Sequence, residues 1–247
     1  MGIFDTTDEW KEALSAWDGI KDRPAPANRK RDRGFKVLQN DFMEKYIGTS
    51  HWAMPGVWFI PAAAFCMYGS VQWAGLSLAF SAVLFVVGLF AWTLVEYLLH
   101  RWVFHLRPAS NMRLRELQFV MHGYHHEFPN DPGRLVAPPA LSWPIAAALI
   151  IIYSILFGHH WWALFAGTSI GYLGYDWMHY YTHHAVPRFR LGKFMRRFHL
   201  EHHFACADFQ YGLSSPLWDS VFRSFWPKSK ARGRGRDDVT AAAPQQQ

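Results

Sequence analysis

The sequence predicts an all-α integral membrane protein in which four transmembrane helices carry a helical cap on the cytosolic side. Three observations predict it. Residues 51–100 and 141–178 contain no Lys or Arg, and their only acids are Glu96 and Asp176. At roughly 20 residues per crossing, each block is long enough for a pair of membrane helices. Apolar residues make up 51% of the chain and aromatics 17%. Mean hydropathy is nevertheless only −0.08, because apolar and charged residues occupy different stretches. The third observation is that the basic residues gather before, between and after the two apolar blocks, as the positive-inside rule requires of cytosolic segments.

That distribution also decides what the pI of about 9.4 means. Basic segments flanking membrane helices explain it better than nucleic-acid binding does. The two cysteines, Cys66 and Cys206, form no CxxC, so neither a disulfide framework nor a thiolate zinc site is indicated. The first 50 residues are polar, unlike a cleavable signal peptide.

In chain order, residues 1–50 read as a cytosolic arm. It contains a short amphipathic helix, EWKEALSAW, and a basic linker, KDRPAPANRKRDRGFK, suited to anionic headgroups. A membrane-embedded unit is expected over 51–227. Its spans are about 52–70, which Pro55 and Pro61 are free to bend, and 76–98, then 141–158 and 161–178. The two-residue turn His159–His160 forces the last two to pack antiparallel. Gly167, Gly171 and Gly174 line one face of the last span, for close helix contact or for local flexibility. Between the hairpins, SNMRLRELQFVMHGYHH opens with a Ser/Asn cap and spaces Leu114, Leu117 and Met121 as a helix lying on the membrane surface. Residues 228–247 are low-complexity and expected to be disordered.

Fourteen histidines punctuate this frame. His51, His159 and His160 stand apart and read as loop residues. The other eleven form four groups in the cytosolic segments: HRWVFH (His100, His105), HGYHH (His122, His125, His126), HYYTHH (His179, His183, His184) and HLEHH (His199, His202, His203). Residues three or four apart share a helix face. His100 and His105 are five apart and need a helix end or a distortion between them. One group alone would be an ordinary surface or core cluster. Four on one face would repel as cations below about pH 6.5 unless a metal held them neutral. Ten or eleven imidazoles exceed one four-ligand zinc site but suit two metals, making the cap the holder of a histidine-rich di-metal site. Imidazole suits iron as well as zinc, and the Glu-x-x-His pattern of soluble di-iron bundles is absent.

HGYHHEFPNDPGRLVAPP, GYDWMHYYTHH and FHLEHHF with the trailing YGLSSPLWDSVF resemble motifs of the fatty acid hydroxylase/sterol desaturase superfamily of membrane di-iron enzymes. They are most similar to its fatty acid 2-hydroxylase branch, over about residues 50–227. The resemblance implies two iron ions, with zinc as a possible substitute, and O2 as co-substrate. Carried over by position, the metal ligands are His100, His105, His122, His125, His126, His179, His183, His199, His202 and His203, with His184 spare or behind them. It implies hydroxylation of a lipid acyl chain, at the 2 position of a fatty acid or N-acyl sphingolipid. Without a fused cytochrome b5 domain, a separate electron donor of the cytochrome b5 or ferredoxin type is expected, in a bacterial inner membrane or, in a eukaryote, the endoplasmic reticulum.

Around that site, Glu96 and Asp176 precede ligand histidines by four and three residues and are expected to accept their second ring N–H. Arg134 is expected to meet a substrate carboxylate or phosphate, or else a lipid headgroup. Tyr175 and Tyr181 are expected to line the pocket, with at least one tyrosine of 175, 180 and 181 in an aromatic belt. A sterol desaturase or carotenoid hydroxylase is the nearest alternative, and a metal-binding or transport protein a more distant one.

Overall fold

The computed structural model describes residues 5–21 and 34–226. Most of the expected basic linker and the whole expected disordered tail lie outside these residues. Helices among the described residues are α1 (Asp8–Ala16), α2 (Asp41–Met43), α3 (Met54–Gln72), α4 (Leu78–Leu99), α5 (Met112–Gln118), α6 (Tyr124–Glu127), α7 (Pro139–Phe157), α8 (Trp161–His184), α9 (Arg190–Phe204) and α10 (Leu217–Val221). No strand forms among them. Three wide π turns are inserted, two of them beside histidine groups: His100–Phe104 after α4 and Phe119–Gly123 between α5 and α6.

Three helical stretches are long and apolar enough to cross a membrane: Met54–Gln72, Leu78–Phe104 and the 46-residue Pro139–His184. The third is not straight. α7 stops at Gly158, whose φ of 52° costs least without a Cβ, and one 3-10 turn precedes α8. The Tyr153 hydroxyl then lies 3.2 Å from Thr168 Oγ1. In an unbroken helix these residues would be about 22 Å apart, so α7 folds back on α8.

α8 sits at the centre of the bundle and packs on α4. An added Cβ at Gly167 would stand 1.9 Å from the Phe85 carbonyl oxygen, and one at Gly171 2.5 Å from Trp92 Cβ. Close approach therefore accounts for both glycines, while Gly174 meets nothing within 4 Å. Thr168 Oγ1 bonds across to the Gly88 carbonyl at 3.1 Å. The outward faces carry exposed Val83, Val86, Phe90, Ile151, Ile155 and Leu156, as a lipid-facing surface would.

The long apolar helices begin and end within two residues of the hydrophobic stretches of the sequence, except at the C-terminal ends of α4 and α8. α4 runs on through its π turn to Phe104, and α8 runs on to His184. Hydropathy marks where lipid ends, whereas these helices continue as polar ones. The expected N-terminal helix forms, but it is not a detached arm. Trp10, Leu14 and Trp17 are buried against Phe119 and Tyr124 of the cap, with Trp10 and Phe119 rings 5.1 Å apart.

Candidate metal centre

Ten histidines converge above the bundle in two groups of five. His100, His105, His122, His126 and His202 form the first, and His125, His179, His183, His199 and His203 the second. Within each group the nitrogen atoms lie within 4.8 Å of one another. The groups are adjacent, with the His126 and His203 rings stacked at 4.2 Å.

Local backbone geometry sorts the side chains. In the first π turn the His105 N–H donates to the His100 carbonyl at 3.2 Å. This i to i+5 bond brings residues five apart onto one side, so His105 Nε2 lies 3.2 Å from His100 Nε2. That is the distortion the five-residue spacing demands. In the HxxHH groups the i, i+4 pairs stay together: His122 with His126, and His199 with His203. The i+3 members, His125 and His202, cross into the opposite group. His179 and His183 stay together on α8.

The donor geometry fits a cation better than hydrogen bonding. Nε2 atoms approach pairwise at 2.9 Å for His100–His122, 2.8 Å for His179–His125 and 2.9 Å for His183–His199. Metal–nitrogen bonds of about 2.1 Å place neighbouring ligand atoms about 3.0 Å apart. The His100 and His202 tautomers fit as well. His100 Nδ1 donates to the Tyr211 carbonyl at 2.5 Å and His202 Nδ1 to the Phe209 carbonyl at 2.6 Å. A carbonyl only accepts, so the proton sits on Nδ1 and the Nε2 lone pair faces the group. His202 Nε2 is buried with no hydrogen-bond partner. Burial, and then repulsion from neighbouring imidazoles, pushes His105, His122, His125, His126, His199 and His203 well below the ordinary histidine value. These rings are held neutral, the form that binds metal.

The turn that orients His100 and His202 was not foreseen. Gln210 has φ 61°, and the carbonyls on either side of it take the two imidazoles. Its own side chain donates to the Phe198 carbonyl at 3.0 Å. Buried Asp219 accepts from Tyr211 N, Gly212 N and Ser224 Oγ at 2.9, 2.8 and 2.7 Å. The trailing Trp-Asp in the sequence was the available signal.

Several expected contacts are different. Glu96 Oε1 accepts the Leu213 and Ser214 N–H groups at 2.6 and 2.8 Å, not a histidine N–H. It therefore fixes the same turn and acts on His100 only through Tyr211. Asp176 takes no ring N–H either. It lies beside the Tyr172 hydroxyl and the Ala137 N–H, and its Oδ2 is buried without a partner. His184 belongs to neither group and packs on Tyr180 at 4.6 Å. His51, His159 and His160 also lie outside both. Arg134 reaches the cavity but pairs with Asp131 at 2.7 Å and with Glu44, so it is not an open anion receiver. Tyr181 does not line the cavity, whereas Tyr175 does. Tyr181 instead faces Gly192 at the α8–α9 junction.

The cavity runs from His122, His125 and His179 down between α4, α7 and α8, past Ile145 and Leu149 to Phe165. Its wall is mostly apolar. Glu96, Ser169, Tyr172 and Asp176 place buried oxygens along it, with Tyr172 beside Asp176 and Ser142 and Glu96 beside Ser214.

The family model described as fatty acid hydroxylase matches residues 85–224. The chain is 38% identical to the dihydroceramide fatty acyl 2-hydroxylase FAH1 of Arabidopsis thaliana, covering 80% of this chain and 82% of that protein. It is 36% identical to the ceramide very long chain fatty acid hydroxylase SCS7 of Saccharomyces cerevisiae, covering 80% of this chain and 51% of that one. The rat fatty acid 2-hydroxylase is 33% identical over 79% of this chain and 58% of its own length. The chain thus spans about half the length of these last two relatives. Among solved structures it is similar to full-length Scs7p, of which only the hydroxylase domain is visible. The TM-score is 0.72 at 26% identity, covering 91% of this chain and 92% of that one.

Proposed function

Because the chain belongs to the fatty acid hydroxylase family, we propose that it is an O2-dependent membrane hydroxylase acting on carbon 2 of a lipid acyl chain, in a fatty acid or an N-acyl sphingolipid. The observation that carries the reading is the pair of five-histidine groups at the end of an apolar cavity. Each group would hold one iron ion, and the pair would supply the redox chemistry of an O2-dependent hydroxylation.

The chain's own residues do the rest. The ten histidines hold the ions, and the Phe209 and Tyr211 carbonyls fix two of them in the ligating tautomer. Ile145, Leu149 and Phe165 take the acyl tail and exclude water. The buried polar oxygens of Glu96, Tyr172 and Asp176 that line the cavity, with Tyr175 beside His179, receive hydrogen-bonding groups of the head. A neutral amide or hydroxyl head suits them, since Arg134 is already paired. The head then sets which carbon reaches the irons, and a shift of one carbon changes the product.

We further propose four crossings, the 139–184 stretch making two because it folds back. They put residues 1–50, the histidine groups and the 228–247 tail on the cytosolic side of a bacterial inner membrane, around a catalytic unit spanning 51–227. Electrons come from a donor of the cytochrome b5 or ferredoxin type with its reductase. The deciding experiment is lipid profiling of cells with and without the protein, joined to metal analysis of the purified chain. A 2-hydroxy acyl product and two irons per chain are expected. A new double bond, a hydroxylated carotenoid, or bound zinc without any product would overturn the reading.

A further inference from the structure

α9 carries its three histidines on one face and a second cluster on the other. At 100° per residue, Arg190, Lys193 and Arg197 point about 130–175° away from the centre of His199, His202 and His203. They rim a groove floored by Val186, Phe194 and Leu200. Among the described residues, Arg188, Arg190 and Lys193 have no ion-pair partner, while Arg197 is offset by Glu201 at 3.5 Å. The groove is thus cationic above and apolar below. Beside it, Phe189 and Leu191 are 80% and 69% exposed, an unusual state for large apolar side chains unless lipid covers them.

Its height relative to the bilayer can be read from the aromatics. Exposed Trp177 donates to the Trp52 carbonyl at 3.1 Å, and both indoles are exposed, as at a membrane interface. Tyr181, which faces Gly192 of α9, is one turn beyond Trp177, roughly 6 Å. The rim therefore lies at headgroup level. Behind it, buried Arg196 donates to the Thr182 carbonyl at 3.0 Å and ties α9 to α8 between His179 and His183.

We propose that this groove binds the phosphate headgroup of an anionic phospholipid from the surrounding bilayer. Arg190 and Lys193 meet the phosphate, Phe189 and Leu191 enter the acyl region, and the bound lipid presses α9 onto α8, the two helices that supply four of the five histidines of the second group. The proposal rests on the membrane topology above but not on the hydroxylation reading.

The test uses the full-length protein in nanodiscs of phosphatidylcholine with or without phosphatidylglycerol, as wild type and as Arg190→Gln/Lys193→Gln. Both side chains are exposed, so the double variant should melt like wild type in phosphatidylcholine alone. Phosphatidylglycerol is expected to raise the wild-type melting midpoint by several degrees and to remain bound in native mass spectrometry. The double variant should retain roughly 30-fold less of it, about fivefold for each basic residue removed near a headgroup. Neither readout depends on turnover, so a missing hydroxylated product would leave this result intact. Equal midpoints in both nanodiscs, or unchanged lipid retention in the variant, would overturn the proposal. So would a variant that keeps its lipid but loses saturable reduction by an acidic electron carrier, which would make the groove a protein-docking surface.

Discussion

The two histidine groups have the same number of imidazoles and opposite modes of support. The second is held by helix packing: four of its five histidines stand on α8 and α9, which Arg196 and Thr182 lock together. The first draws its members from three separate stretches, with only His202 on a long helix, and depends on a turn. Two of its imidazoles are oriented by the carbonyls at 209 and 211, and that turn is held in place by the buried carboxylates of Glu96 and Asp219. A site carried on regular helices needs little besides the helices. A site assembled from a π turn, a surface segment and a remote helix needs hydrogen-bonded braces, and those braces can be mutated separately from the ligands.

The largest effect should come from removing a ligand in either group. His202→Ala and His203→Ala are expected to cost hydroxylation at least about 100-fold each, more than altering a partner behind a ligand. Iron should fall from two ions toward one per chain in both, with the surviving ion in different groups. Element analysis with Mössbauer spectroscopy on the two variants checks this. Identical residual spectra would mean that the groups are not separate sites.

Asp219→Ala should break the symmetry without touching a ligand. It leaves two backbone N–H groups and the Ser224 hydroxyl without their buried acceptor, at about 1–3 kcal/mol for each such group. The Tyr211 carbonyl is then free to turn away from His100. Affinity for the ion of the first group should drop about 10–100-fold, and that of the second group should change less than about twofold. Competition with a chelator separates the two. Equal losses from both groups would show that the brace supports the whole cap.

Acid should act on both groups alike. Burial holds His122, His125, His126, His199, His202 and His203 well below the usual histidine value in the folded protein, while the unfolded chain titrates near about 6.5. Below that pH the unfolded chain takes up more protons than the folded one, so this contribution to stability is present above about 6.5 and is lost as pH falls toward the folded values. Metal-stripped protein should therefore melt progressively lower from pH 7 to pH 5. Iron loading should raise the midpoint at every pH and keep or steepen the slope, since the metal-bound imidazoles take up no protons while the unfolded chain still does. A metal-stripped midpoint that stays level from pH 7 to pH 5 would mean that burial does not hold these rings neutral.

The helical groups were the easier part to read in the sequence. Charge-free blocks marked the long apolar helices, and histidine spacing marked the convergence, including the distortion between His100 and His105. The division into two groups could not be read, because residues at i+3 and i+4 share a helix face and only the third dimension separates His125 from His126. The turn was hidden for a different reason. Its working atoms are backbone carbonyls, which every residue possesses, and Glu96 braces it through the N–H groups of Leu213 and Ser214, 117 and 118 residues away. Proximity in sequence suggested that Glu96 served His100 directly, whereas its carboxylate serves the turn that does. Arg134 misled in the same way: Asp131 lies only three residues away, but its second partner, Glu44, becomes visible only once the N-terminal segment is seen packed on the cap.

The smallest expected effect tests how sharply the ligand set is drawn. His184 follows His183 in sequence, so composition cannot distinguish them, but on α8 its side chain points about 100° away and rests on Tyr180. It is half-buried, whereas His183 is buried within 2.9 Å of His199. His184→Ala should leave two irons per chain, hydroxylation within about twofold, and stability within about 0.5 kcal/mol, the range of substitutions away from special features. His183→Ala should lose an ion. If His184→Ala also lost one, helix direction would not be what selects ligands in the HYYTHH group, and the second site would have to admit a sixth imidazole.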